Sequence, residues 1–472
     1  MEKYDIAVIG GGPAGITLAK MLGAKRKMAV IRPEDHSMIY CAMPYAIEGL
    51  LEEKKTLKKD SLVTDAGADL IRNTVTSVDF ETKSITFEDS SQIGWDKLVI
   101  ATGADPFIPP IPGKDLAGVT GFKTANDMSA ITGMIDAGLG RAVVVGAGAI
   151  GIELALAIKA RGVEVDLVDM GESILPNLVD REMSEEPCSA LAGTGIRLHL
   201  QAKVTELKGG PMESPDNSSS TEGKQAVAQV ILDNGQIIHF DSGDDCAEDE
   251  EGRLPGLVVF ATGMTPQVSL MKDSGMKIGK DGIIVNEKME TSIPDVFAAG
   301  DCVEFTSGIT KKPVPGKLAT NAVPMARIVA FNLLGRPRAY PGFYNGAATR
   351  VGDYYVGGTG LSEKAAADAG IETICGYGEV TTQFPIMPEA KKMKTKLVVE
   401  QATRRLIGGQ IVSGEPVTGR LDLLTFAIQK ESTVDDLAAL SYSAQPYQSF
   451  YPAANGIVMA AEDIMRKLSA RN

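Results

Sequence analysis

The sequence predicts an α/β protein with two similar α/β units and a separate α+β domain towards its C-terminal end. Two short apolar runs, residues 4–9 and 141–145, each lead into a Gly-x-Gly-x-x-Gly motif and then into a helical pattern. A further apolar run at 97–103 has a near twin at 257–263. Short apolar runs that end in glycine turns are typical of buried parallel strands, and strands that alternate with helices predict an α/β fold.

The length and composition of the chain indicate a protein of several domains. At 472 residues the chain is too long for one core, and roughly 150 residues per domain suggests about three domains. The net charge of −14 argues against a nucleic-acid or anionic-membrane surface. No apolar run approaches the ~18 residues of a membrane-spanning helix, and the N-terminus leads into a strand without a secretory signal. We therefore expect a cytoplasmic protein.

The first glycine motif follows the first strand directly. Gly10 permits a tight turn, Gly12 lets a pyrophosphate approach the backbone, and Gly15 allows close packing of helix on strand. The following helix directs its free N–H groups at the phosphates. The second strand ends in Arg32, where an acidic residue would bind the ribose, and Glu34 lies two residues on. The motif predicts a dinucleotide site, and whether Arg32 or Glu34 contacts the ribose stays open.

A second unit of the same kind lies between the twin strands. Gly146, Gly148 and Gly151 form its motif, and its second strand ends in Asp169, 23 residues after Gly146. A carboxylate at this spacing accepts a hydrogen bond from a ribose 2′-OH and repels a 2′-phosphate. No arginine follows Asp169 directly. The sequence therefore predicts NADH rather than NADPH in this unit.

Three polar segments carry no assigned chemistry. The four lysines within 51–65 most simply form a solvated face, and a phosphate-binding rim for an anionic substrate is the alternative. Segments 208–225 and 241–254 are poor in apolar residues, which predicts surface loops between strands.

Cys41 lies in the stretch 37–45, shortly after the first unit. The chain has five scattered cysteines without CxxC or zinc-ligand spacing, so we expect neither a disulfide framework nor a metal site. A free cysteine is often buried and structural, whereas a cysteine at a helix N-terminus is favoured as a reactive thiolate. The helical spacing of 41–51, with Pro44 acceptable only in a first turn, predicts that Cys41 begins a helix.

The last part of the chain has a different order of predicted strands and helices. Residues 294–302 predict a strand that delivers Gly300 and Asp301 at its C-terminal end, where ligands bind in open α/β sheets. From about residue 340, strands precede helices, which predicts the α+β domain. The predicted elements are strands at 350–356, 396–400 and 406–412 and helices at 420–430 and 456–468. Tyr442, Tyr447 and Tyr451 gather near the end, and such clusters are more often core or interface than catalytic.

In this order and spacing, the motifs resemble those of the FAD-dependent pyridine nucleotide-disulfide oxidoreductases over essentially the whole chain. The matching segments are GGGPAG at 10–15, DKLVIATG at 96–103, GAGAIGIE at 146–153, ATG at 261–263 and DVFAAGDC at 295–302. The resemblance implies two Rossmann-like dinucleotide-binding domains in a glutathione-reductase-like arrangement and a C-terminal α+β dimerisation domain. The implied boundaries are 1–113 with 255–335 for FAD, 114–254 for NAD and 336–472 for dimerisation.

The resemblance also assigns cofactors and partners. FAD would lie on the first unit, with Gly300 and Asp301 at its ribityl and pyrophosphate part. NADH would lie on the second unit, with Glu153 near the nicotinamide. The C-terminal domain would form a homodimer and complete the partner's active site. The implied cofactor-binding residues are Gly10, Gly12, Pro13, Ala14, Gly15, Arg32, Glu34, Ser37, Ala101, Thr102, Gly103, Gly146, Gly148, Ile150, Gly151, Glu153, Asp169, Gly263, Gly300, Asp301, Ala319 and Thr320.

The sequence around Cys41 resembles the single-cysteine branch of that family. Two-cysteine members carry a second cysteine shortly after the first, at the places held here by Tyr45 and Ala46. The segment SMIYCAMPYAIEG instead resembles coenzyme A disulfide reductases, persulfide or polysulfide reductases, NADH oxidases and NADH peroxidases. The resemblance therefore implies that Cys41 is the redox centre.

The choice of substrate rests on further positions of the same resemblance. Peroxidases and oxidases of the branch place a histidine in the first glycine loop, where this chain has Pro13, which favours a sulfur substrate. Tyr447, with Tyr442 second, is the implied C-terminal catalytic tyrosine, and another expected tyrosine is absent near 386–388. Coenzyme A disulfide, coenzyme A persulfide and polysulfide all stay open, and coenzyme A is either substrate or bound adduct. The alternatives are an NADH oxidase that works through a cysteine sulfenic acid and an electron-transfer reductase for a small redox protein.

Overall fold

A computed structural model describes residues 1–211, 225–240 and 256–470. Its strands, in chain order, are β1 (Glu2–Ile9), β2 (Met28–Arg32), β3 (Ser37–Met38), β4 (Leu57–Lys58), β5 (Asp69–Arg72), β6 (Val75–Asp79), β7 (Ser84–Phe87), β8 (Gln92–Ile100), β9 (Ala104–Pro106), β10 (Val119–Gly121), β11 (Arg141–Val145), β12 (Glu164–Val168), β13 (Arg197–His199), β14 (Val204–Pro211), β15 (Gln225–Leu232), β16 (Ile237–His239), β17 (Leu257–Phe260), β18 (Met264–Pro266), β19 (Ile278–Gly279), β20 (Gly282–Ile283), β21 (Val296–Ala298), β22 (Phe305–Thr306), β23 (Pro313–Val314), β24 (Ala347–Val351), β25 (Tyr354–Gly360), β26 (Thr373–Thr381), β27 (Lys392–Glu400) and β28 (Leu406–Ser413).

The α-helices are α1 (Pro13–Leu22), α2 (Met43–Glu48), α3 (Ser61–Thr64), α4 (Ala125–Asp136), α5 (Ala149–Ala160), α6 (Arg181–Gly193), α7 (Ala319–Leu333), α8 (Glu363–Asp368), α9 (Thr418–Gln429), α10 (Val434–Ala438) and α11 (Gly456–Ser469). In the part of the chain that the structure describes, no helix is both long and apolar enough to cross a membrane.

The chain folds into two compact units. The first comprises Met1–Met43, Glu52–Phe107 and Gly263–Phe343, and the second comprises Pro44–Leu51, Ile108–Thr262 and Tyr344–Asn472. The chain therefore leaves the first unit after Phe107 and returns to it at Gly263, as an internal repeat of strand and glycine turn suggests.

The first unit is built on a seven-stranded sheet in the order β5-β2-β1-β8-β7-β6, with β21 beside β8. Strands β5, β2, β1, β8 and β21 run parallel, whereas β7 pairs antiparallel with both β8 and β6. Val8 on β1 lies between Val30 and Val99, and all three are fully buried. The parallel strands share one buried apolar core with α1 and α7, and these two helices pack against each other.

The second unit contains a parallel sheet in the order β10-β17-β11-β12-β13 and an antiparallel sheet of β14, β15 and β16. β17 lies between β10 and β11, where Val258 pairs with Val119 and Val143. The predicted boundary at residue 255 is therefore wrong, because residues 257–260 complete the second sheet before the chain returns. The division into three domains stays a prediction.

The C-terminal part is an antiparallel sheet in the order β24-β25-β28-β27-β26, accompanied by α9 and α11. This confirms the predicted α+β character. The single strand predicted at 350–356 is wrong, because a turn at Gly352 separates β24 from β25. β26 was not predicted. The strands predicted at 396–400 and 406–412 and the two helices are present with small shifts at their ends.

The two polar segments fall mostly outside the described residues. Segment 241–254 lies there entirely, and so do residues 212–224 of the first segment. The described ends of that first segment, residues 208–211 and Gln225, belong to β14 and β15, so the predicted loop began and ended within strands.

Candidate active site

Cys41 lies exposed at the beginning of a helical segment in the first unit. A 3₁₀ turn, Tyr40–Ala42, runs directly into α2, and the N–H of Ala42 donates to the carbonyl of Ile39 at 2.9 Å. Pro44 occupies the first turn of α2, where it costs no helical hydrogen bond. The predicted helix is present but shorter, since α2 spans Met43–Glu48 and Cys41 lies in the 3₁₀ turn that precedes it. The alternative of a buried structural cysteine is wrong, because Cys41 is exposed.

The other described cysteines have a different character. Cys302 is fully buried with its Sγ 3.5 Å from the carbonyls of Ile100 and Ala299, and burial raises the pKa of its thiol. Burial also raises the pKa of Cys188, and that of Cys375 to about 12. Because a thiolate is the reactive form, these three thiols are suited to packing. Cys246 lies outside the described residues.

The three glycines of the first motif have distinct surroundings. A Cβ at Gly10 would collide with the carbonyl oxygen of Ala101, and a Cβ at Gly15 would collide with that of Gly10. A Cβ at Gly12 would meet no atom within 4 Å. Gly10 and Gly15 are thus required by backbone packing, whereas the backbone at Gly12 faces open space that a pyrophosphate can approach. Ala14 follows Pro13 in the first turn of α1.

Two buried polar atoms near the end of β2 have no hydrogen-bond partner among the described residues. They are Nε of Arg32 and Oγ of Ser37. Arg32 is otherwise held by the carbonyl of Asp35 and by an ion pair with Asp60, while Glu34 is exposed. A buried polar group left unsatisfied costs about 1–3 kcal/mol. The residues present therefore fit a polar ligand such as the adenosine part of FAD, which would satisfy both atoms.

Further residues of the first unit converge on the same edge of the sheet. Gly300 follows β21 with a φ of 87°, and a Cβ there would lie 3.4 Å from Ala322 of α7 and 3.9 Å from Ala14 of α1. The structure thus brings the predicted Gly300 and Asp301 together with the starts of both helices. Thr320 is exposed in the first turn of α7, which begins at Ala319.

The turn after β8 is held by a hydrogen bond within the first unit. Thr102 donates its hydroxyl to the carbonyl of Gln267 at 2.6 Å, and Gly103 has a φ of 76°. Gly263 has a φ of 114°, and a Cβ there would meet no atom within 4 Å. The predicted cofactor residues Thr102 and Gly103 therefore also secure the backbone of the first unit.

The second glycine motif repeats the geometry of the first. A Cβ at Gly146 would lie 2.5 Å from the carbonyl oxygen of Ala261, and one at Gly151 would collide with Gly146. Gly148 again faces open space, and the neighbouring Ile150 is 47% exposed. The twin segments 97–103 and 257–263 have the same structural role, because each places an alanine carbonyl against the first glycine of the neighbouring motif.

Asp169 lies just after β12 and holds this glycine loop. Its Oδ2 accepts from the backbone N–H of Ala147 and its Oδ1 from that of Gly171, both at 2.6 Å. A carboxylate has about four acceptor positions, so a ribose hydroxyl can still bind. Asp169 therefore has a structural role in the loop, and its contact with a ribose stays a prediction.

Glu153 projects from α5 and meets a residue that the sequence did not suggest. Burial raises the pKa of its carboxyl, and the hydroxyl of Thr349 on β24, which donates at 2.7 Å, opposes that rise. Thr349 is separated from Glu153 by 196 residues, and no motif marks it.

The C-terminal tyrosines differ in how they are held. Tyr442 donates its hydroxyl to the carbonyl of Pro452 at 2.5 Å, and Tyr451 packs edge-on against Phe384 with ring centroids 5.3 Å apart. The side chain of Tyr447 is 68% exposed, and its hydroxyl has no hydrogen bond within the described part of the chain. Tyr447 is therefore exposed and less constrained than Tyr442, and its catalytic role stays a prediction.

Two nucleotide-type glycine loops, an exposed cysteine and an antiparallel C-terminal sheet define a flavin- and nicotinamide-dependent oxidoreductase. Residues 4–326 match the family model for pyridine nucleotide-disulphide oxidoreductases, and residues 347–453 match the model for their dimerisation domain. The chain belongs to this family, and the predicted fold class and cofactor types are confirmed.

Named relatives divide between two activities. The chain is 32% identical to an NADH oxidase of Methanocaldococcus jannaschii, over 98% of this chain and 99% of that protein. It is 30% identical to a CoA-dependent NAD(P)H sulfur oxidoreductase of Pyrococcus furiosus, again over 98% and 99%. The solved NAD-dependent persulfide reductase from A. fulgidus superposes with a TM-score of 0.86 at 29% identity, covering 98% of this chain and 83% of that one. Their names match activities that the sequence resemblance implied, NADH oxidase and reductase of a sulfur or persulfide substrate.

Proposed function

We propose that this chain is an FAD-dependent, NADH-driven reductase that cleaves a sulfur–sulfur bond in a small thiol-type substrate. The substrate class is a coenzyme A disulfide, a coenzyme A persulfide or a polysulfide. The observation that carries the proposal is Cys41, the exposed thiol at a helix start, next to Tyr45 and Ala46 instead of a second cysteine. A lone cysteine has no internal partner, so its disulfide partner is supplied by the substrate.

In the proposed reaction, the residues of the chain have separate roles. As a thiolate, Cys41 attacks one sulfur of the substrate, so that one sulfur–sulfur bond breaks, a mixed disulfide forms and one thiolate leaves. Tyr447 of the partner subunit donates a proton to the leaving thiolate. FAD, which the first glycine loop and Gly300 would hold, would supply the two electrons of NADH that return Cys41 to the thiolate and release the second thiol. Asp169 supports NADH as the donor, because its carboxylate repels a 2′-phosphate.

The matching dimerisation model supports a homodimer in which the C-terminal domain of each subunit completes the other's site. The segment that carries Tyr447 is anchored within its own unit, since the N–H of Phe384 donates to the carbonyl of Pro446 at 3.1 Å. A cytoplasmic location agrees with thiol chemistry, because that compartment keeps cysteines reduced.

Replacement of Cys41 tests the proposal. Cys41→Ser is expected to abolish anaerobic NADH oxidation with coenzyme A disulfide, coenzyme A persulfide or polysulfide, because serine cannot form the mixed disulfide. Flavin absorbance of the purified variant should match that of the wild type. Cys188→Ser, at a half-buried thiol on α6, is the matched control and should retain turnover. Wild-type rates in Cys41→Ser would overturn the proposal.

An NADH oxidase is the second candidate, and the Methanocaldococcus jannaschii relative favours it. In that case oxygen replaces the substrate sulfur, and Cys41 cycles through a sulfenic acid. Pro13 begins α1 at the place where the family resemblance implies a histidine in oxidases, and it offers no proton. Anaerobic assays separate the two functions, because NADH consumption with a sulfur substrate continues without oxygen only in a sulfur reductase.

A further inference from the structure

Thr349 occupies an inward-facing position of β24 that an apolar side chain could fill. Along this strand the side chains of Thr349 and Val351 are buried, whereas those of Ala348 and Arg350 are exposed. Thr349 pairs with Val356 of β25, which is fully buried. A buried hydroxyl is costly unless it is hydrogen-bonded. A valine would therefore suit the packing of this position, and the hydroxyl of Thr349 needs a separate explanation.

The carboxylate of Glu153 provides that explanation. The hydroxyl of Thr349 donates to Oε1 of Glu153 at 2.7 Å. Within the described ranges, no hydrogen bond or ion pair reaches the other oxygen, Oε2. Glu153 is half-buried, yet Oε2 is not one of the buried atoms that have no partner. One carboxylate oxygen is therefore held by Thr349, and the other is accessible to solvent.

The geometry of α5 directs Glu153 towards the nucleotide loop. The helix begins at Ala149 within the second glycine motif, and Glu153 lies four residues later, about 6 Å along the helix axis. Helical side chains lean towards the N-terminus of their helix, and residues three apart share a face, here Ile150 and Glu153. Ile150 is 47% exposed, and the backbone at Gly148 faces open space. The accessible carboxylate oxygen therefore belongs to the helix face that the glycine motif leaves open.

We propose that Thr349 is a positioning residue for NADH, and that its hydroxyl fixes Oε1 of Glu153 so that Oε2 faces the nicotinamide half of the nucleotide. This inference rests on the proposed NADH-driven function and deepens it. Asp169, which follows β12, is the predicted partner of the adenosine ribose, which leaves the nicotinamide half to α5. A carboxylate suits that half, because the nicotinamide ring gains a positive charge when it gives up hydride.

Binding of NAD⁺ to the oxidised holoenzyme, followed by isothermal titration calorimetry, measures this role without turnover. Thr349→Val keeps the branched shape of the side chain but removes the donor, so the carboxylate of Glu153 can turn away from the nucleotide. The dissociation constant is expected to rise about tenfold. Thr349→Ser keeps the hydroxyl and should stay within about twofold of the wild type. A packing role would give the opposite order, since valine fills the buried position and serine leaves a cavity.

Thr359→Val is the matched control, because Thr359 is a buried threonine of the neighbouring β25 whose hydroxyl lies 2.7 Å from that of Thr425. Its affinity for NAD⁺ should equal that of the wild type. Glu153→Gln should weaken NAD⁺ binding by itself, and the addition of Thr349→Val to this variant should weaken it no further. Thr349→Ala repeats the test if the valine variant is unstable.

Two results would overturn the role of Thr349. One is wild-type affinity in Thr349→Val or Thr349→Ala, and the other is an equal loss of affinity in Thr349→Val and Thr349→Ser. A holoenzyme that does not bind NAD⁺ overturns it as well. The proposed sulfur chemistry fails separately, by turnover in Cys41→Ser, because NAD⁺ binding involves no sulfur substrate.

Discussion

At the scale of single residues, Asp169 shows how a predicted ligand-binding side chain can also hold the backbone around it. Its two carboxylate oxygens accept from the N–H groups of Ala147 and Gly171, which follow β11 and β12. A sequence motif can suggest the contact with a ribose, but these two bonds depend on the folded loop. A change at Asp169 therefore alters the ligand's partner and the shape of the loop together.

Asp169→Ala is expected to weaken NADH binding at least about tenfold, because each lost hydrogen bond contributes about 1 kcal/mol. NADPH should not bind better, since the loop that would receive its phosphate is loosened at the same time. Fluorescence titration of both nucleotides measures the effect. Glu164→Ala, an exposed change at the other end of β12, is the control. NADPH binding in Asp169→Ala as tight as NADH binding in the wild type would contradict this account.

At this scale, a sequence pattern predicts contacts between residues that are close along the chain but not contacts between distant residues. Gly10 and Gly15 could be assigned because the atoms that exclude a side chain come from the same motif and from the adjacent strand. The partner of Glu153, Thr349, could not be found, because the hydroxyl comes from a strand 196 residues further along the chain and leaves no local pattern. Lys58 was grouped with solvated lysines because burial is not visible in a run of charges.

At the scale of elements, a buried ion cluster ties α6 to the C-terminal sheet. The ammonium of Lys396 on β27 is fully buried and lies 2.5–2.8 Å from carboxylates of Asp180, Glu182 and Glu363. Gln410 on β28 donates to Asp180 at 2.6 Å. Burial alone would lower the pKa of Lys396, but the three carboxylates raise it well above its usual value. Burial would raise the pKa of Asp180 and Glu182, yet Lys396 holds both below their usual range.

Lys396→Met is expected to destabilise the protein by roughly 3 kcal/mol near neutral pH, because it leaves three facing carboxylates without their cation. Chemical denaturation followed by circular dichroism measures the free energy of unfolding. Lys392→Met, at an exposed position of the same strand, is the control and should change it by less than about 0.5 kcal/mol.

The same cluster predicts how the difference in unfolding free energy between wild type and Lys396→Met varies with pH. Carboxyls with a lowered pKa stabilise the fold above their unfolded values of about 4, and that contribution is lost as the pH falls through the folded values. The contribution of Lys396 is complete below about pH 10 and is lost as the pH rises through its raised pKa. The gap between wild type and Lys396→Met should therefore be widest between about pH 5 and pH 10 and should narrow in acid. If the difference in unfolding free energy does not change with pH, the charges of Lys396 and its three carboxylates are not the source of the difference.

Strand β26 shows why an element can escape sequence analysis. Its segment TICGYGEVT contains Gly376 and Gly378, which interrupt the apolar pattern of a strand. In the structure, a Cβ at either glycine would collide with a backbone carbonyl of α11, from Ala460 and Gly456. The glycines are there because a helix lies directly on the strand, and that approach is a tertiary contact.

At the scale of the whole molecule, the proposed active site would combine residues of two subunits. Cys41 belongs to the first unit, and Tyr447 to the second unit, in the region that matches the dimerisation model. If Tyr447 of the partner subunit protonates the leaving thiolate, two different inactive subunits can form one complete site between them.

Mixed dimers test this arrangement. Cys41→Ser and Tyr447→Phe should each be inactive or severely slowed with a disulfide substrate. After subunit exchange at equal concentrations, activity is expected to recover to about one quarter of the wild-type value, because half of the dimers then carry one intact site. Tyr442→Phe is the control for Tyr447→Phe, since the hydroxyl of Tyr442 is already bonded to Pro452. The absence of recovery in exchanged dimers would place both residues in the same subunit's site or remove Tyr447 from it.

The sequence by itself determined the two glycine motifs, the strands and helices beside them, and the position of Cys41 at a helix start. These features are local, because their physical causes are backbone conformation and apolar periodicity over a few residues. Only the tertiary structure decided that β17 completes the second sheet, that Lys58 is half-buried, and that Lys396 gathers three acids. Those outcomes depend on burial and on contacts between distant segments, which determine whether a charge is solvated or paired.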